Sequence, residues 1–236
     1  KLLGVPGQKV LASEKDAQTQ DFLVVTHNVF IARTVADYVE FIKKARAGSI
    51  MGFFFPSLNP LSWRIREMLN ARAATSKTVV QPLDARYWSM SAYSLGANQQ
   101  VKYSAIPCSA IEPGTYEAKD SPDFLRENLA AHLKSKEGCF DFAVQVRQDD
   151  SMPVEDTTVE WDENVAPFIP VARIKIPPQE FTSPEQLKFC ENLSFTPWHA
   201  LPAHEPLGAI NRVRRHVYEA TSQLRHELNH AVRREP

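Results

Sequence analysis

Two spacings of apolar residues, every second position and every third or fourth, divide the 236-residue chain into expected strands and helices. Residues Gln20 to Phe30, QDFLVVTHNVF, are rich in Val and Phe and predict a buried strand. Thr34 stands where it can cap a helix running to about Arg46, with Val35, Tyr38, Val39 and Ile42 on one face. Met51 to Phe55 is a short apolar run, and Trp63 to Ala73 predicts a short helix. Tyr87 to Leu95 and Gln99 to Pro107 alternate around Gly96-Ala97-Asn98, the pattern of a hairpin or a bulged turn. Ser121 precedes a helix, PDFLRENLAAHLKSK, that stops at Gly138. Cys139 to Gln148 and Phe168 to Ile176 predict two more strands, separated by a polar loop over Asp149 to Glu160. Ser183 to Cys190 is helical in pattern, and three prolines keep Ser194 to Pro206 extended and irregular. From Gly208, apolar spacing sustains one long helix to Arg234. Antiparallel strands followed by helices give an α+β class, or a barrel with C-terminal helices.

Composition narrows the function classes. A chain of this length with 43% hydrophobic residues builds one sizeable core and is read as one domain over 1–236. A net charge of −1 gives no general attraction to nucleic acid or to anionic membranes. No apolar run approaches the ~18 residues of a membrane span. Cys108, Cys139 and Cys190 are an odd set without CxxC spacing. They predict buried reduced thiols rather than a disulfide scaffold or zinc site, which suits a cytoplasmic compartment. Lys1 is not a translation start, so a segment upstream, with any targeting signal, is expected.

The last helix carries the candidate chemistry. Arg214, Tyr218 and Arg225 lie four and seven residues apart, on one helical face. Two guanidiniums beside a phenol favour its ionised form, and Arg holds such an oxygen with a fork that stays charged. A phenolate is a hard ligand for ferric iron and one of the known axial ligands of haem. From the spacing alone, a solvated Arg/Tyr helix face is the competing interpretation.

The set Arg214, Tyr218, Thr221 and Arg225 resembles the proximal haem motif of the catalase superfamily, in particular the small catalase-like proteins of bacteria. Phe195-Thr196-Pro197 resembles the segment leading into that helix, and the resemblance puts Phe195 on the proximal side of the haem. Asp21 to Arg33 resembles the strand ending Phe-x-x-Arg, matched by Phe30 and Arg33. Continuing without a gap, Tyr38 falls where catalases place a ring over the distal haem face, and Phe41 matches the next aromatic. Lys1-Leu2-Leu3, YWSMSAYSLGANQQVKYSAIP and PFIPVARIKIP resemble further barrel strands.

The resemblance implies haem b on iron-ligating Tyr218, with Arg214, Tyr218, Thr221, Arg225, Phe195, Tyr38 and Val25 around it. It implies a barrel, a homo-oligomer, and a peroxide or hydroperoxide substrate. Tyr218, Arg225 and Thr26 then serve catalysis. Departures accompany it. Ser222 stands where the family has His, and the distal Asn position falls at Val25 or Thr26, with His27 and Asn28 a small register shift away. The distal His and two propionate-binding Arg residues lie upstream of the stretch resembling Lys1, so the upstream segment is expected to complete the site. His226 and His230 have the i, i+4 spacing of a metal pair, although a solvated helix end is the favoured explanation of them. The resemblance leaves three functions open: a peroxide- or hydroperoxide-using haem enzyme, including rearrangement of the allene oxide synthase type; a non-catalytic haem-binding protein; and a haem-free barrel for small molecules.

Overall fold

The computed structural model describes residues 1–76, 78–112, 114–117, 121–233 and 235–236. The chain opens with β1 (Leu2–Leu3), which pairs antiparallel with β2 (Thr19–Gln20). The single buried strand expected over Gln20 to Phe30 is corrected here. After Gln20 the backbone leaves the ladder, and only Val25 returns to a sheet, in one bridge with Trp88. Asp21 explains the exit: its buried carboxylate accepts from the Lys1 ammonium at 2.8 Å and from the Thr196 backbone N–H at 2.9 Å. Of the Val and Phe residues that follow, Val25 and Phe30 wall a cleft, whereas Phe22 packs on the main sheet and Val29 is buried.

The main sheet is antiparallel and contains β3 (Tyr87–Trp88), β4 (Tyr93–Leu95), β5 (Gln99–Pro107), β6 (Gly138–Val146) and β7 (Ile169–Ile176). Both β3 and β4 pair with β5, β6 lies on the other side of β5, and β7 lies outside β6. Gly96, with φ +67°, turns β4 into β5 as the hairpin pattern predicts. The α+β class holds, but the expected barrel does not close among the described residues. β7 pairs with β6 alone and is exposed over almost its whole length.

One sheet face carries Tyr103, Val101 and Val144 against Phe22 and Phe142. It continues into Leu83, Ala105, Leu133 and Phe140 under α4 (Phe124–Leu133). On the opposite face the loop after β6 folds back: the Gln145 amide donates to the Trp161 and Ala166 carbonyls, and Trp161 packs with Met152 and Ala92.

The remaining helices are α1 (Val35–Arg46), α2 (Met51–Phe54), α3 (Ile65–Ser76), α5 (Pro184–Glu191) and α6 (Gly208–Leu228). Thr34 caps α1 in a reciprocal box with Asp37, satisfying two otherwise unpaired backbone donors. The long helix ends at Leu228, short of the expected Arg234, which itself lies outside the described residues. His230 takes φ +50°, and the His230 and Ala231 N–H groups donate back to Glu227 and His226, closing the helix. No helix of the described residues is long and apolar enough to cross a membrane.

The expectation of three reduced, buried thiols is also corrected. Cys108 and Cys139 form a disulfide with Cα atoms 5.4 Å apart, and Cys190 is free and exposed. The β5–β6 ladder pairs Pro107 with Phe140, so the next residue on each strand meets the other.

Candidate functional site

The site begins with how α6 is anchored. Gly208 has φ +85°, and a Cβ there would sit 2.7 Å from the Val154 carbonyl oxygen, so a side chain is excluded by space and by backbone. The Glu155 carboxylate accepts from the Ala209 N–H at 2.8 Å and from both Arg212 terminal nitrogens, placing an anion at the helix N-terminus. This anchor drives Ile210 and Asn211 into the core.

Asn211 is fully buried and uses all its hydrogen-bonding capacity. Its Nδ2 donates to the Ala92 and Leu207 carbonyls, and its Oδ1 accepts from Ser91 Oγ at 3.0 Å and Arg214 Nη1 at 3.1 Å. Arg214 Nη2 in turn donates to the Tyr218 hydroxyl at 2.9 Å. Burial works against the Arg214 charge, but the adjacent Tyr93 and Tyr218 phenols hold its pKa above the ordinary guanidinium value.

Ser91 is delivered by a three-residue turn. Met90 stands at φ +56°, and the Ser91 N–H donates to the Ser89 carbonyl at 2.7 Å. A residue with a Cβ costs about 1–3 kcal/mol in that conformation. Ser89 Oγ holds the turn, donating to the Ser91 carbonyl and accepting from the Tyr103 N–H.

Two clefts meet at Tyr218. The first has room for about 180 Å³. Val25, Phe30, Val35 and Tyr38 form one wall, while Ile210, Val213, Arg214, Val217 and Tyr218 of α6 form the other; Met90, Ser91 and Thr157 complete it. Phe30 and Tyr38 pack with ring centroids 5.1 Å apart. The second cleft, about 260 Å³, lies between Leu193, Ser194 and Phe195 and the α6 residues Tyr218, Thr221, Ser222 and Arg225.

The structure therefore brings together most of the residues singled out in the sequence. Val25, Tyr38, Arg214 and Tyr218 share the first cleft, and Phe195, Thr221 and Arg225 join Tyr218 in the second. Their contacts differ from the simple picture of two guanidiniums on one phenol. Arg225 donates to the Leu193 carbonyl, and Thr221 Oγ bonds back to the Val217 and Tyr218 carbonyls of its own helix. Phe195 is 43% exposed, with the Lys1 ammonium 5.3 Å from its ring centroid. Ser222 pairs with Ser194, and the buried His226 binds the Asn192 carbonyl rather than joining His230.

Thr26 is exposed and lines neither cleft. Asn28 donates to Glu160, away from Tyr218. Burial lowers the His27 pKa while Glu160 pulls it upward. Among the described residues, no group of three or more His, Cys, Asp or Glu side chains could hold a metal ion.

In sequence, no family model and no curated protein matches the chain. In structure, catalase A from Saccharomyces cerevisiae superimposes with a TM-score of 0.64 at 13% identity, over 90% of this chain and 49% of that one. A fungal catalase gives 0.61 at 14% identity, over 86% and 44%. A bacterial catalase gives 0.61 at 15%, over 86% and 43%.

The chain has a catalase-like fold. It spans less than half the length of these catalases, and the likeness at this identity concerns the fold. Within that catalase-like fold, sequence reasoning missed Asn211, Ser91 and the Met90 turn. A polar residue one helical turn before Arg214, on the same face, was the available signal for Asn211. Nothing in the sequence marked Met90 as left-handed.

Proposed function

We propose that this chain is a single haem-carrying domain that holds haem b through the Tyr218 oxygen, within a catalase-related oxidoreductase consuming hydrogen peroxide or an organic hydroperoxide. The observation that carries this reading is the Arg214–Tyr218 hydrogen bond at the junction of two clefts in a catalase-like fold. The residues present suit the group. The phenol oxygen is a hard donor for ferric iron, and the Val25, Phe30, Val35 and Val213 walls suit a flat apolar macrocycle. When bound, haem supplies the redox chemistry of peroxide cleavage.

The chain's own residues would bind and orient. Tyr218 presents its oxygen, and Arg214 keeps a positive charge on it. Asn211 and Ser91 fix the Arg214 fork. Phe30 and Tyr38, packed ring to ring on the apolar wall, would exclude water from the bound group. Arg225, Thr221 and Phe195 rim the second cleft and would help to hold the group.

One observation favours a second reading, haem binding without peroxide turnover. The family's distal Asn position falls at Val25, an apolar residue lining the first cleft, or at Thr26, which is exposed and lines neither cleft.

Haem titration of the purified chain tests both readings. The proposal expects a Soret band that Tyr218→Phe abolishes or displaces. No haem uptake, or an identical spectrum in Tyr218→Phe, overturns it. Haem uptake by the whole protein without consumption of hydrogen peroxide or an organic hydroperoxide selects the second reading.

A further inference from the structure

One segment that lines neither of the clefts at Tyr218 combines features that the site does not use. The turn after α2 carries Leu58, 99% exposed, and Leu61, 95% exposed. These two side chains project from an ordered turn. Asn59 accepts the Leu61 N–H at 3.1 Å, the Trp63 indole N–H donates to the Ser57 carbonyl at 3.0 Å, and the Ser57 and Ser62 hydroxyls are 2.8 Å apart. The base is firm as well: Phe53 and Phe54 are buried against Phe41, and Arg64 lies 4.4 Å from the Phe53 ring while bridging to Asp37 and Glu40 of α1. Ile50, Met51 and Trp63 of the same stretch are also exposed, and grouped apolar exposure of this kind marks an interaction surface.

Charge says which surface. From residue 43 to residue 76 the cations are Lys43, Lys44, Arg46, Arg64, Arg66 and Arg72, against Glu67 as the single acid, in a chain of net charge −1. Arg64 and Arg66 are paired with acids of other segments. Lys43, Lys44, Arg46 and Arg72 make no ion pair among the described residues. Lys44 reaches over Gly52, beside exposed Ile50 and Met51.

We infer that this turn is a peripheral membrane-docking site: Leu58 and Leu61 enter the headgroup boundary of an anionic lipid surface, and the basic end of α1 sits on the phosphates. Shallow apolar insertion beside lysines and arginines is the mode by which a protein lies on a bilayer without spanning it. A second copy of the chain is a poorer occupant. The tip offers two leucines and the edge of Trp63, well short of the roughly 800 Å² that each partner buries in a stable protein interface. The inference is independent of haem, although α1 joins the two regions: Val35 and Tyr38 wall the first cleft and Lys43 to Arg46 stand at the docking end.

Co-sedimentation of the full chain with vesicles tests it, comparing phosphatidylcholine alone with equal parts phosphatidylcholine and phosphatidylserine. The expected result is binding to the anionic vesicles, weakened by high salt. The Leu58→Asp/Leu61→Asp variant should lose about tenfold or more. The Lys43→Glu/Lys44→Glu variant should lose about fivefold per charge. Because Leu58 and Leu61 touch solvent almost entirely, the Asp variant keeps the wild-type circular dichroism. Absence of vesicle binding, or equal binding by the Asp variant or to neutral vesicles, overturns the inference. So does concentration-dependent dimerisation of the wild type that the Asp variant abolishes.

Discussion

Arg214 and Tyr218 stand one turn apart on α6, and the guanidinium donates to the phenol oxygen at 2.9 Å while lying 5.0 Å from the ring. The contact is half buried and needs a fixed guanidinium, which Asn211 and Ser91 provide. A hydrogen bond to a charged group contributes about 1.5–3 kcal/mol. Replacing Arg214 by Leu is therefore expected to weaken haem binding by roughly 10–100-fold. Arg214→Lys, which keeps the charge but lacks the fork, should fall between Leu and wild type. Absorbance titration with haem measures both, and wild-type affinity in Arg214→Leu would remove Arg214 from the ligand's support.

Asn211 has a larger structural role than Arg214. Asn211→Ala removes four hydrogen bonds, to the Ala92 and Leu207 carbonyls, Ser91 Oγ and Arg214 Nη1, although the Ala92 carbonyl keeps the Leu207 N–H and Ser91 Oγ keeps the Ser89 carbonyl. With each lost hydrogen bond contributing about 0.5–1.5 kcal/mol net, a loss near 3 kcal/mol in unfolding free energy is expected. Urea denaturation with an unchanged slope reads this directly. A loss under about 0.5 kcal/mol, the range of ordinary surface substitutions, would show that water replaces the amide at no cost.

Local rules account for much of what the sequence revealed. Thr34 and Asp37 announce the start of α1, and Gly96 announces the hairpin, because a cap and a tight turn are chemistry between near neighbours. Helical spacing likewise put Tyr218 in register with Arg214. What stayed hidden depends on distant pairing. The stretch after Gln20 has strand composition, but the buried Lys1–Asp21 ion pair and the cleft decide its path. Arg225 lies on the expected face, yet its guanidinium is taken by the Leu193 carbonyl of another segment. Thr26 falls at a family position by counting, but the backbone turns it to solvent.

The Cys108–Cys139 disulfide is such a distant pairing, and it is open to measurement. It closes a loop with a sequence separation of 31 across the end of the β5–β6 ladder. A cross-link of that span is expected to contribute about 2–4 kcal/mol. Adding a reductant, or making Cys108→Ser/Cys139→Ser, should lower the unfolding midpoint accordingly. Thiol titration of the oxidised protein should find Cys190 alone, and all three cysteines after reduction in denaturant. Three reactive thiols before reduction would contradict the pairing.

Lys102 gives stability a pH dependence of definite sign. It lies on β5 on the face opposite Tyr103, 5% exposed, with its ammonium donating to the Val159 carbonyl at 3.3 Å and lying 5.0 Å from the Trp161 ring centroid. Burial lowers its pKa to about 8, outweighing the attraction of Glu160 and Asp156. The unfolded chain keeps the ordinary lysine value near 10.4. Between those two values the unfolded state binds more protons than the folded state, so stability rises with pH across that window. Below pH 8 both states are protonated and the full cost of the buried charge is felt. Replacing the amine with a thioether of similar length removes this cost, so Lys102→Met is expected to be more stable than wild type at pH 7. The gain should be up to about 3 kcal/mol, shrinking to nothing above pH 10.5. Comparing urea midpoints of the two proteins from pH 7 to 11 isolates Lys102 from the other groups that titrate there. A difference that does not change with pH would mean that the ammonium stays solvated in the folded protein.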